Sequence, residues 1–320
     1  KLTRCLKNAV SESVLREYPD RTHKQLREAI GAWHGIESAM VLPGNGAAEL
    51  FTWAAREAAS LGLSGLPSPG FADYSRALRC WHAPHKYLPI PLSWSAAAPQ
   101  HFPLKPTTDV IWITNPHNPT GQLWSRESIE TLLQSHSLVI CDEAFLPLVP
   151  NGERQSLLPL VKTHSNLVVI RSLTKLFALA GLRLGYAVSK PDRLNHWQSW
   201  RDPWPLNGLA LTAGTFLMTD ISALKQWIDS VHQWISKEKP WLEEKLRNMP
   251  GINPHPSSSN FLLIEGDMSL SPLREQMAKR NILLRDCRSF SELGERWLRI
   301  GLQNRVGNHR IVEGMRELLI

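Results

Sequence analysis

Three short runs, Val110-Ile111-Trp112-Ile113, Leu138-Val139-Ile140-Cys141 and Leu167-Val168-Val169-Ile170, are apolar at every position. A strand with one wet face would alternate apolar with polar, so these runs suit strands covered on both faces. Between the first two, residues 126–134 read as a helix with Ser125 as its N-cap. Short apolar runs alternate with helical segments from about Gly31 to Leu206. That alternation predicts an α/β fold built on a parallel sheet with helices on both sides. Ligands bind such sheets outside the carboxyl ends of the strands. In this chain a polar motif follows each of the three runs.

The pattern changes after about Ser222. An amphipathic helix runs toward Met249, with Pro240 marking a kink or a break. A strand is expected at Asn260-Phe261-Leu262-Leu263-Ile264, a helix over 272–279, and strands at Ile282-Leu283-Leu284 and Trp297-Leu298-Arg299-Ile300. A last helix is expected over 308–318. The mixture reads as a smaller α+β domain, with the N-terminal thirty residues packed against it. The expected division is therefore 31–232 for the large domain, and 1–30 with 233–320 for the small one. The stretches 66–70, 89–106 and 254–259 are rich in proline and serine and read as connecting loops.

No stretch approaches the roughly 20 apolar residues of a membrane span. The first residues have no apolar signal core, and Lys1 is not an initiator methionine, so the native start is expected to be missing. Cys5, Cys80, Cys141 and Cys287 are widely spaced and form no CxxC pair, which argues against a zinc site and for a reducing cytoplasm. The net charge of +7 is spread along the chain without a basic run, which suits an anionic substrate better than nucleic acid. Trp227, Ile228, Val231, Trp234 and Ile235 recur at helical spacing and read as core or dimer interface.

The chemistry gathers at the strand ends. Lys175 stands in Ser172-Leu173-Thr174-Lys175, with Arg183 eight positions later. The hydroxyls and the guanidinium suit a phosphate, and a lysine among them suits covalent capture of an aldehyde. Together they point to pyridoxal 5′-phosphate (PLP). Asp142, in Cys141-Asp142-Glu143-Ala144-Phe145, ends its strand as a carboxylate fit to pair with a protonated pyridine nitrogen. Glu143 reads as structural. Asn118, in Asn115-Pro116-His117-Asn118-Pro119-Thr120-Gly121, lies in a rigid turn where its amide can meet the cofactor's phenolate oxygen, while His117 reads as an exposed loop residue. Gly44-Asn45-Gly46-Ala47 precedes a helix whose N-terminal N–H groups can meet a phosphate. Tyr74 can stack on a ring, and Arg299 can clamp a carboxylate.

This set, Gly-Asn-Gly, Asn-Pro-x-Asn-Pro-Thr-Gly, Asp-Glu-Ala-Phe and Ser-Leu-Thr-Lys with Gly-Leu-Arg-x-Gly-Tyr, resembles the fold-type I PLP enzymes of the aspartate aminotransferase superfamily, from about Tyr18 to Arg299. Four stretches, among them Glu17-Tyr18-Pro19-Asp20 and Pro203-Trp204-Pro205-Leu206-Asn207, are most similar to L-threonine-O-3-phosphate decarboxylases of cobalamin biosynthesis, and after them to histidinol-phosphate aminotransferases. The resemblance implies a large domain with a mostly parallel seven-stranded sheet. It implies Lys175 as the Schiff-base lysine, Asp142 as the pyridinium partner and Tyr74 as the stacking aromatic. It implies a phosphate cup of Gly46, Ala47, Ser172, Thr174 and Arg183, with Tyr18 reaching the neighbouring subunit's cofactor in a homodimer. Arg299 with Asn118 would bind substrate. Apart from the resemblance, Arg285 and Arg288 are candidates for a substrate phosphate, although both read first as surface arginines. No metal is implied. Phe145 stands where many aminotransferases carry tyrosine, which favours the decarboxylase branch. A catalytically silent subunit that kept the fold is the reading from another class, and the intact Lys175, Asp142, Asn118 and Arg183 argue against it. The glycine-rich front segment of relatives, with its substrate-binding histidine, has no counterpart in the chain.

Overall fold

The computed structural model describes residues 1–11, 13–96 and 98–319. The chain begins with helices α1 (Leu2–Ser11) and α2 (Lys24–His34), then strand β1 (Val41–Asn45), which passes directly into α3 (Gly46–Leu61). Strand β2 (Ser64–Ser68), α4 (Asp73–Cys80), β3 (His85–Pro89) and β4 (Val110–Thr114) follow, then α5 (Arg126–Glu130), continued as a 3₁₀ turn over Thr131–Gln134. Next come β5 (Leu138–Asp142), β6 (Leu167–Ser172), the one-turn α6 (Leu173–Leu176), β7 (Leu184–Val188), α7 (Pro191–Trp200) and α8 (Gly208–Thr219). The long α9 (Ile221–Arg247) leads to β8 (Ile252–Pro254), β9 (Phe261–Gly266), α10 (Ser271–Lys279), β10 (Arg285–Asp286), β11 (Trp297–Gly301) and α11 (Arg305–Leu319).

A seven-stranded sheet has the order β1-β7-β6-β5-β4-β2-β3, and β7 alone runs against its neighbours. A second, antiparallel sheet has the order β10-β11-β9-β8. The all-apolar runs explain the layering. Val110, Trp112, Leu138, Ile140, Val168 and Ile170 enter one core with Leu50, Phe51 and Leu78 of α3 and α4. Ile111, Ile113, Val139, Cys141, Leu167 and Val169 enter the other, with Leu26 and Ile30 of α2. Alternate side chains on each strand therefore face opposite cores, and neither face meets water. Continued one step further, the same alternation sends Thr114, Asp142 and Ser172 to the α3–α4 side, and Glu143 and Arg171 to the other.

Several expectations need correction. The N-terminal helices α1 and α2 pack on α8, and α2 also on β1, rather than against the four-stranded sheet. The reason is apolar fit: Leu26 lies so close to Gly214 of α8 that a Cβ there would meet it at 3.0 Å. Leu66 to Ser68 belong to β2 and not to a loop, and the ladder begins three residues late, at Arg285 rather than across 282–284. Pro240 does not break α9, which also carries the expected boundary at 232 in its interior. Ser125 caps α5 as expected, its side chain accepting from the Ser128 N–H at 3.3 Å.

Candidate active site

The carboxyl ends of β4, β5 and β6 open on a cleft of about 340 Å³, walled by residues of α3, α4, α6 and the four-stranded sheet. Lys175 stands at the end of α6, its Nζ 5.2 Å from the centre of the Phe145 ring. Burial, reinforced by the positive charges of Arg299 and Arg183, lowers its pKa, and Asp142 opposes the shift. An amine placed so is poised toward its neutral, nucleophilic form.

Asp142 is fixed at both oxygens. Oδ1 accepts from the Ala144 N–H at 2.9 Å, and Oδ2 accepts from the Tyr74 hydroxyl at 2.6 Å. The same hydroxyl lies 2.8 Å from Oγ1 of Thr114. Burial nonetheless raises the Asp142 pKa to about 6 against those hydrogen bonds and the pull of Lys175. A buried acid of this kind waits for a cationic partner inside the cleft.

A second group of donors lies across the cleft. Ser172 Oγ and Thr174 Oγ1 are 2.7 Å apart, both buried at the end of β6. Facing them is the uncapped N-terminus of α3, where Asn45 offers no side-chain cap and Ala47 and Ala48 line the cleft. Gly46 has φ +73°, and a Cβ at Gly46 would strike the guanidinium of Arg183. A Cβ at Gly185 would come within 2.9 Å of the Ala47 nitrogen. Two hydroxyls, a helix N-terminus and a guanidinium around space kept clear by glycines form an anion cradle. Its chemistry fits a phosphate, while Asp142 and Lys175 fit the ring nitrogen and the aldehyde of the same cofactor.

The opposite wall comes from the four-stranded sheet. Arg299 of β11 donates to Oδ1 of Asn118 and lies 4.8 Å from the Phe261 ring centre. Burial, with Arg285 adding to it, pulls the Arg299 pKa down to about 10. Arg285 is the direct cross-strand partner of Arg299, and both face the cleft. Like charges set opposite one another cost stability unless an anion lies between them. Both Arg285 and Arg288 are exposed, but only Arg285 lines the cleft; Arg288 is turned to Asp286, with which it ion-pairs at 2.6 Å.

Two other expectations are corrected. Tyr74 is not a wall of the cleft; it is buried behind Asp142, edge-on to Phe51 and Phe71 with ring centres 5.0 and 5.6 Å away, and Phe71 supplies the aromatic wall. Three positions separate them on one turn, so the sequence motif alone did not say which ring faces in. His117 is buried, not exposed, with Nε2 2.6 Å from the Pro69 carbonyl, and burial lowers its pKa to about 4. Tyr18 lies outside this cleft, 78% exposed and packed on Trp204 at 4.5 Å between ring centres. Thr114, Ala48 and Phe290 also line the cleft without having been expected there, and Thr114 was within reach of the alternation that carries Val110 and Trp112.

The family model for aminotransferase class I and II matches residues 2–313. A putative threonine-phosphate decarboxylase of Caldanaerobacter subterraneus subsp. tengcongensis is 31% identical over 317 residues, covering 97% of this chain and 85% of its own. A histidinol-phosphate aminotransferase of Thermoanaerobacter sp. is 28% identical over 320 residues, covering 98% and 88%. Among solved structures, the L-threonine-O-3-phosphate decarboxylase of Porphyromonas gingivalis superposes with a TM-score of 0.83 at 24% identity, covering 99% of this chain and 94% of that one. The matched span contains every residue of the cleft, and the chain therefore belongs to the class I and II aminotransferase family of PLP-dependent enzymes.

Proposed function

We propose that this chain decarboxylates L-threonine O-3-phosphate to (R)-1-amino-2-propanol O-2-phosphate, a step of cobalamin biosynthesis, in the cytoplasm and as a homodimer. The observation that carries the reading is the facing pair Arg285 and Arg299, two cations in register across β10 and β11 in addition to the cradle at Ser172, Thr174 and Arg183. The cofactor has one phosphate, so the second cationic locus suits a substrate that is itself anionic twice over, by carboxylate and by phosphate. Relatives with the decarboxylase name at 31% and 28% identity point the same way.

In this reading Lys175 would be the residue that holds the cofactor at its aldehyde, and Asp142 the one that would pair with its ring nitrogen. Ser172, Thr174, Arg183, Gly46 and Ala47 hold its phosphate, with Tyr18 of a second copy completing the cup. Phe71 covers the ring. Asn118 gives its amide oxygen to Arg299, which leaves Nδ2 for the phenolate oxygen. When bound, PLP supplies an electron sink for the pair left at the substrate α-carbon when a bond there breaks. Arg299 binds the substrate carboxylate and Arg285 its phosphate. Lys175, poised toward neutrality, can carry a proton to or from the α-carbon. Phe145 brings no hydroxyl to the phenolate side.

The second reading, a histidinol-phosphate aminotransferase, is favoured by the 28% identity to such relatives. Purified protein supplied with PLP and threonine phosphate separates the two. Release of CO2 with no 2-oxoglutarate present supports the decarboxylase. No CO2, with 2-oxoglutarate-dependent consumption of histidinol phosphate, would replace it with the aminotransferase.

A further inference from the structure

Directly behind the cleft, on the other face of the sheet, lies a cluster of charge that the chemistry above does not use. Arg171 precedes Ser172 on β6, and Glu143 follows Asp142 at the end of β5. Alternation turns the two side chains away from the cleft and toward each other. They meet at 2.6 Å between Nη2 of Arg171 and Oε2 of Glu143, with side-chain exposures of 2% and 0%. Nε of Arg171 donates to the same oxygen at 2.9 Å. Glu143 also accepts from the Ser156 hydroxyl at 2.8 Å and from the Leu157 N–H at 2.7 Å. Arg171 donates further to Ser156 and, through Nη1, to Glu153 at 2.7 Å. Glu153 belongs to a surface turn, and its side chain is 51% exposed.

We propose that Glu143 and Arg171 are positioning residues: their ion pair fixes the distance between Asp142 and the Ser172–Thr174 cradle, and so matches the site to the length of the cofactor. The inference rests on the reading of the cleft as a PLP site. Three observations carry it. Each partner is one peptide bond from a cleft residue, so a shift of the pair moves Asp142 or Ser172 directly. The strand ladder is ending where the pair sits: Asp142 pairs with Ile170, and the Glu143 N–H donates to the Ile170 carbonyl at 2.8 Å, beyond which no β5–β6 pairing continues. A rigid link is needed there because two adjacent strand ends must hold opposite ends of one small molecule. Finally, every oxygen of Glu143 is engaged and both charges are out of water. Such a pair gives little net stability compared with apolar packing, yet breaking it leaves a lone buried charge, so its value lies in geometry. Burial opposes the charge on Arg171, but Glu153 and Glu143 overcome that and hold its pKa well above the ordinary range.

The test compares Glu143→Gln with Glu153→Gln, which removes the outer partner of the same arginine without touching β5. Apo protein is titrated with PLP by quenching of tryptophan fluorescence, and melting temperatures are measured alongside. Glu143→Gln is expected to weaken PLP binding by about tenfold or more. It should also shift the pH midpoint of the visible absorbance of the bound cofactor. Glu153→Gln is expected to lower the melting temperature while leaving the PLP constant and the midpoint within about twofold of wild type. If Glu143→Gln does not fold, Ser156→Ala, which loses a hydroxyl bridging both partners, should weaken PLP by about threefold or more. An unchanged PLP constant in whichever of these variants folds, or equal weakening in the Glu153 variant, overturns the proposal. Failure of the wild type to bind PLP at all would instead overturn the reading of the cleft.

Discussion

Asp142 shows what a single residue gives up for a site. Its carboxyl is buried, and its pKa of about 6 lies above the ordinary 3.8. The folded apo protein therefore holds a proton on Asp142 in a range where the unfolded chain has already lost it. Stability from this group is greatest below about pH 3.8, declines as pH rises toward 6, and is lost above it. The whole effect is on the order of 3 kcal/mol. Urea unfolding of apo Asp142→Asn should show a flatter pH dependence between about pH 4 and 7 than wild type, and a PLP constant weakened by about tenfold or more. An unaltered slope would mean that another group sets the acid limb. For Lys175, replacement by alanine should abolish the visible band that PLP develops with the wild type, measured by absorbance, while the fold persists by circular dichroism. Both residues were legible in the sequence because each sits in a short motif next to an all-apolar run. Tyr74 and Phe71 were not separable that way, since the rotation of the turn between β2 and α4 decides which ring meets the cleft.

At the scale of elements, the elbow from β1 into α3 is the tightest constraint. Gly46 has a positive φ, and the space a side chain would fill is taken by Arg183. Gly46→Ala should cost about 1–2 kcal/mol from backbone conformation alone. It should also displace Arg183 and weaken PLP by about tenfold or more. A thermal melt and a PLP titration check the two effects, and a stability loss with unchanged PLP binding would separate Gly46 from the cradle. Helix α3 was expected directly after its glycine turn, and the long α9 was readable from its amphipathic periodicity. The short β10 was not, because residues 282–284 are apolar enough for a strand but turn off before pairing begins at Arg285. The turn after β4 was recognised as rigid from its prolines and glycine. Its histidine was misplaced because burial of His117 depends on the Pro69 carbonyl, which comes from a distant part of the chain.

Across the whole molecule, the two sheets meet at the cleft. Arg299 reaches Asn118, the Ser258 N–H donates to the Gly121 carbonyl at 2.9 Å, and Trp94 Nε1 donates to the Pro256 carbonyl at 2.8 Å. Trp94 also stacks on His255, 5.2 Å away, and packs on the cluster of Leu263, Cys287 and Phe290 beneath the arginine wall. Trp94→Ala should loosen that wall without touching the cradle. The expected result is a KM raised by about threefold to tenfold with an unchanged PLP constant, measured by steady-state kinetics and fluorescence titration. Equal loss of both would mean that the residue supports the fold as a whole. Among the described residues no helix is long and apolar enough to cross a membrane.

The sequence by itself determined the doubly covered sheet, the strand ends and the gathering of Lys175, Asp142, Asn118 and Arg183 beside them, because period and motif are local and survive without contacts. Only the tertiary structure decided that Tyr74 braces Asp142, that Arg285 rather than Arg288 joins Arg299 at the cleft, that α1 and α2 pack on α8, and that Glu143 meets Arg171 behind the site. Each of these depends on side chains far apart in the chain, or on which way a turn rotates. Such facts are set by packing and by the pairing of buried charge, and no window along the chain contains both partners.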